Sequence, residues 1–182
     1  MDLRVQRTRK NIINAFLKLR SKKALEKISV KELAELAQIN KATFYLHYKD
    51  IYDLSEILEN ELIENIFAGI DHPDAAISNP KLFTKELADA FISHRAMIDI
   101  VFSDERSGIL INRVETRVKD VIFNKYPDFR NSSKINIFLT YSIKGGYYAF
   151  IENIGYDMDT LLSVIGDMTE CVTQRIIPNK RE

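Results

Sequence analysis

Cysteine, tryptophan, proline and glycine are scarce in this sequence, and long apolar runs are missing. Cys171 is the single cysteine, so the chain closes no internal disulfide and offers zinc no cysteine cluster. That fits a reducing, cytoplasmic compartment. Only 6 Gly and 4 Pro occur in 182 residues, with no Asn-Gly hairpin turns and no alternating Val/Thr-rich stretches. A sheet-rich fold therefore has no local support. No apolar run approaches the roughly 20 residues that a membrane-spanning helix needs. The opening MDLRVQRTRKN lacks the apolar stretch of a secretory signal, and no membrane contact is expected. There is no G-x-S-x-G, no H-E-x-x-H and no glycine-rich phosphate loop, and His47, His72 and His94 lie far apart in sequence. Neither catalysis, a metal nor a cofactor is expected.

Net charge is also lacking, because two opposite charges cancel. Residues 1–50 carry 12 Lys and Arg against 5 Asp and Glu, whereas residues 51–182 carry 14 against 21. A basic head on an acidic body suggests a polyanionic partner for the head.

Helical spacing recurs along the whole chain, so an all-α fold of about nine helices is expected. Ile12, Ile13, Phe16, Leu17 and Leu19 make an apolar face for a first helix over residues 3–22. Arg4, Arg7, Arg9 and Lys10 crowd its start, where cations oppose the helix dipole, and a phosphate backbone is a natural reason for them. Ser29-Val30-Lys31-Glu32 has the form of a capping box opening a short helix to Leu36. Asn40 is an N-cap for a second short helix over 41–48, and Asp50 for a longer one over 51–69. Two prolines make 72–80 a loop. Further helices are expected over 81–93, 94–102, 105–125, 132–156 and 159–177.

Two short helices joined by a tight turn form a helix-turn-helix. Its second helix must present polar side chains at its N-terminal end and keep an apolar back. Phe44, with Leu46 or Tyr48, supplies the back. Lys41 can donate to a guanine edge, Ala42 can touch a thymine methyl, and Thr43 can bond base or phosphate. Tyr45, His47 and Lys49 suit phosphate oxygens, which set position rather than sequence preference.

The stretch ISVKELAELAQINKATFYLHYKDIYDL, Ile28–Leu54, closely resembles the N-terminal domain of the TetR (tetracycline-repressor) family. Ser29, Val30, Leu33-Ala34, Ala37-Gln38-Ile39-Asn40, Thr43-Phe44-Tyr45, His47-Tyr48, Lys49-Asp50 and Leu54 occupy the places of that family's pattern. About a third of the chain is covered. The resemblance implies a DNA-binding domain over 1–50 and a helical ligand-binding and dimerisation domain over 51–182. It assigns base contacts to Lys41 and Ala42, backbone contacts to Thr43, Tyr45, His47 and Lys49, and a phosphate contact to Ser29; Arg7, among the cations at the start of the first helix, is a further candidate phosphate contact. Two positions depart from the pattern. Gln38 stands where the turn usually has Gly, which places a side chain where a left-handed backbone is needed. Ile51 stands where a phosphate-binding Lys is usual.

In the acidic body, Ser142, Gly145, Gly146 and Ala149 put small residues along one side of a helix. Two mid-helix glycines cost roughly 1 kcal/mol each, which close approach of a partner helix would offset. With Leu162, Ile165 and Val172 they form a candidate homodimer face, two helices from each subunit making a four-helix bundle; the same face would also serve as internal core. Phe67, Phe83, Phe91, Met97, Phe102, Ile122 and Tyr141 are candidate walls of an effector pocket, with His94, Arg95 or Asn136 as polar contacts. The function implied is a ligand-responsive repressor binding a near-palindromic double-stranded operator as a dimer. An activator or coactivator working through a protein partner is the alternative.

Overall fold

In a computed structural model, which describes residues 3–103 and 106–177, every regular element is helical. The order is α1 (Leu3–Arg20), α2 (Val30–Leu36), α3 (Lys41–Tyr45), α4 (Ile51–Ala68), α5 (Ala75–Ser78), α6 (Pro80–Ser93), α7 (Arg95–Val101), α8 (Ser107–Lys125), α9 (Ser133–Glu152) and α10 (Met158–Ile176). Short 3-10 turns cover Leu25–Lys27 and Pro127–Asn131. The tenth helix is α5, a single turn within the segment expected to be loop. Among the described residues no helix is long and apolar enough to cross a membrane.

The described residues form two compact units. The first comprises those of Met1–Leu62 with Arg95–Ser107, the second those of Ile63–His94 with Gly108–Glu182. The division falls inside α4 rather than at its start, and α7 belongs with the first unit. The edge that the resemblance implies, between residues 50 and 51, coincides with the start of α4.

Local chemistry fixes the first unit's short helices. The Ser29 hydroxyl accepts from the Glu32 amide at 3.2 Å. The Glu32 carboxylate does not complete the box; it pairs with Lys23. Asn40 Oδ1 accepts from the Thr43 amide at 2.7 Å. Asp50 accepts from the Asp53 amide at 2.8 Å, while the Asp53 carboxylate accepts from the Lys49 amide at 2.9 Å. These bonds satisfy amide donors that helix starts otherwise leave open.

Around them Ile12, Phe16, Leu33, Phe44 and Leu54 are fully buried. Tyr48 closes the back of α3 and Leu46 is 85% exposed, which decides between the two expected inward residues. Ile51 joins the same core.

A second layer of the unit is polar. Glu59 has no exposed surface; its Oε1 accepts from the Ser55 hydroxyl at 2.8 Å and lies 2.6 Å from the Arg106 guanidinium. Arg20 donates to the carbonyls of Ser103 at 2.9 Å and Lys23 at 3.2 Å. Removing one partner of such a buried pair costs more than the pair contributes, because the other charge is left unpaired. The network ties α1, α4 and the segment after α7 to one arrangement.

In the second unit α10 packs along α6 and α9. Asn79, Ser132 and Asp157 cap α6, α9 and α10. Glu115 on α8 accepts from Lys119 at 2.6 Å and from Thr140 of α9 at 2.5 Å, and lies 3.2 Å from Lys144. Burial opposes ionisation of this carboxyl, but the three hydrogen bonds outweigh it and lower its pKa to about 2.

Candidate nucleic-acid interface and cavity

The turn between α2 and α3 decides how α3 is presented. Gln38 has φ 56°, the one positive φ at a non-glycine among the described residues. The Ile39 amide donates to Ala34 at 3.0 Å and the Gln38 amide to Glu35 at 3.2 Å. These are the two bonds of a Schellman ending, which requires a left-handed residue at this place. Ile39 packs on the core as the accompanying hydrophobic contact. A side chain in this conformation costs roughly 1 kcal/mol, offset here by the two bonds and the burial.

With that turn fixed, Phe44 and Tyr48 anchor α3 from behind, and Lys41, Ala42 and Tyr45 are exposed on its other side. Tyr45 stands edge-on to Phe44, with centroids 5.5 Å apart, so its ring is held while its hydroxyl end is outside. The Thr43 hydroxyl donates to Asn40 Oδ1 at 2.9 Å, leaving its oxygen as an acceptor. His47 is half-buried beside Tyr48, whereas Lys49 and Ser29 are exposed. The α1 cations are not equivalent. Arg9 donates to the Tyr48 hydroxyl at 3.4 Å and pairs with Glu61, while Arg7 and Lys10 are exposed. Arg9, Lys10, His47 and Tyr48 share one groove. The expected DNA-contacting residues therefore all lie within the first unit, and none is fully buried.

The expected effector pocket is not assembled as a set. The second unit holds a cavity of about 110 Å³, walled from α6, α8, α9 and α10 by residues that include Phe83, Phe91, Val114, Ile122, Phe138 and Phe150. Of the expected walls, only Phe83, Phe91 and Ile122 take part. Arg95, Met97 and Phe102 belong to the first unit, where Arg95 pairs with Asp99. Phe67 is buried under Arg117, 5.3 Å from its guanidinium carbon. Tyr141 is 67% exposed. His94 contacts the Ala90 carbonyl at 2.8 Å, and the Asn136 amide donates to the carbonyls of Arg130 and Ser132 at 3.0 Å. Both are committed to helix ends. Aromatic spacing identified buried faces, but not which of them surround open space.

The family models, curated proteins and solved structures compared with this chain give no match.

The expected dimer face divides in the same way. Ser142, Gly146, Leu162 and Ile165 line the cavity, and Ala149 packs against Phe150, Leu161 and Ile165. Val172 is half-buried and Gly145 exposed. The exposed apolar stripe shares Gly145 with that set but otherwise lies around the helix from it. On α9 it runs through Ile137 (70% exposed), Tyr141, Gly145 and Tyr148, and on α10 through Val164, Met168 (62% exposed) and Cys171. A helix apolar on two sides gives no sequence signal to tell core side from outer side.

An apolar space left unfilled forgoes contacts that a repacked core would make. The space arises because Ala76, Ala88, Ser142 and Gly146 stand where larger side chains would meet.

Proposed function

We propose that this protein is a dimeric, ligand-responsive transcriptional regulator of the TetR type, acting as a repressor in the cytoplasm. The observation that carries the reading is the Asn40-capped α3. Its apolar back is locked by Phe44 and Tyr48, and it leaves Lys41, Ala42, Thr43 and Tyr45 accessible within a basic head. A recognition helix needs this division: a fixed back, so that the front meets base edges in register. Phosphate contacts from Ser29, Tyr45, His47, Lys49 and Arg7 would position the head, and Lys41 and Ala42 would read bases.

The stripe of Ile137, Tyr141, Gly145, Tyr148, Val164, Met168 and Cys171 is the surface assigned to the homodimer. Two-fold pairing would favour a near-palindromic operator with half-sites about one helical turn apart. The effector would occupy the α6–α8–α9–α10 cavity and weaken DNA binding by favouring the form with misplaced recognition helices.

The test is retention of genomic fragments at low and raised ionic strength. Lys49→Ala is expected to weaken binding to all fragments alike and to flatten the salt dependence. Lys41→Ala is expected also to relax preference, by about 1–3 kcal/mol at one base pair. Failure of the intact protein to retard any fragment at low salt overturns the reading. In that event the exposed Leu46, with Tyr45 and Tyr52 close to it in sequence and also exposed, favours the partner-binding activator or coactivator.

A further inference from the structure

The second unit's cavity has a chemical character that narrows its ligand. Among the described residues, no Lys, Arg, His, Asp or Glu lines it. Its few polar side chains are largely committed. The Thr169 hydroxyl donates to the Ile165 carbonyl at 2.8 Å and the Thr173 hydroxyl to the Thr169 carbonyl at 2.7 Å. Ser142 and Thr84 carry the other hydroxyls, in a wall otherwise built from aliphatic and aromatic groups. A charged ligand would lose its hydration and meet no counter-charge, and such a group neutralises or stays outside. Size narrows the ligand too. A dry apolar cavity of about 150 Å³ accommodates benzene, and the volume here is about 110 Å³. Small residues keep the space open. A Cβ on Gly146 would already lie 3.6 Å from Ile165 Cγ2.

We propose that the cavity takes a compact, uncharged, mainly apolar molecule of about one ring, carrying at most one hydroxyl or carbonyl, directed to Ser142 or Thr84. This deepens the regulator reading and rests on it for biological meaning, since such a molecule would be the effector. Binding itself is independent of DNA.

The experiment is calorimetric titration and thermal denaturation of the full chain with toluene, phenol and benzyl alcohol, against benzoate and benzylammonium as charged counterparts of the same size. The neutral compounds are expected to bind and raise Tm. The charged pair should bind at least about tenfold more weakly. Gly146→Leu, which fills the space, is expected to abolish the Tm shift, whereas Gly108→Leu, at an exposed site with nothing within 4 Å, keeps it. Should Gly146→Leu fail to fold, Phe91→Ala serves instead. It enlarges the cavity and is expected to bind naphthalene more tightly than the parent protein does; equal binding by the two would overturn the assignment.

Charged compounds binding as well as neutral ones, no Tm shift with any neutral compound, or unchanged toluene binding in Gly146→Leu would each overturn the assignment. Because the titrations contain no DNA, the two readings fail separately. Toluene binding without fragment retention removes the regulator, and fragment retention without toluene binding removes only this ligand class.

Discussion

The two units of this protein treat their interiors differently. Of the ten largest fully buried side chains among the described residues, eight belong to the first unit: Ile12, Phe16, Leu33, Phe44, Leu54, Ser55, Glu59 and Val101. The first unit fills its core with large side chains and adds a buried ionic network that has one satisfactory arrangement. The second surrounds open space with alanine, serine and glycine on opposing helices. A filled core resists rearrangement, while an apolar void is a place where a small molecule gains contacts without displacing a side chain. On the proposed reading, the first unit would hold the recognition surface and the second would respond.

The sharpest way to break this contrast is to cut into the filled core. Phe44→Ala is expected to cost about 3–5 kcal/mol and to abolish DNA retention, because α3 loses its anchor. Urea denaturation gives the loss directly. A cost below about 1 kcal/mol would mean that the first unit is no more tightly filled than the second.

Acid probes the second unit. Glu115 has a depressed folded-state pKa of about 2, so its contribution is present above the ordinary Glu value and is lost as pH falls towards 2. A shift of that size corresponds to at most about 3 kcal/mol. Glu115→Gln is expected to remove this slice of stability at neutral pH and to flatten the stability profile between about pH 4.5 and 2. Denaturation across that range checks it; a profile as steep as the parent's would assign the acid sensitivity to other carboxylates.

The smallest effect tests the strained turn. Gln38→Gly relieves the left-handed conformation and is expected to stabilise by about 0.5–1 kcal/mol, since the gain from φ is partly cancelled by greater freedom in the unfolded chain. An unchanged or lower Tm would show that the Gln38 side chain contributes more than its backbone costs.

Much of the first unit was legible because its determinants are local. Ser29, Asn40 and Asp50 cap the helices expected of them, and Gln38 takes the left-handed conformation its place in the turn demands. Cap bonds span three residues and turn bonds three to five, so the sequence brings donor and acceptor together before any tertiary contact forms. The Glu59–Arg106 pair was missed for the opposite reason. Its partners lie 47 residues apart, and nothing in the local pattern of either marks it as buried.

The amino-acid sequence alone determined the long helices, the Ser29, Asn40 and Asp50 caps and the division of charge. Tertiary structure alone decided that α7 joins the first unit, that Leu46 is exposed while Tyr48 is buried, that Gly146 and Ser142 look into a cavity while Ile137 and Tyr141 look out, and that no charged group among the described residues lines the cavity. The physical reason is the range of the forces. Hydrogen-bond caps and helical periodicity act within a few residues, whereas which apolar face is covered, and how completely, depends on helices that meet only after the chain has folded.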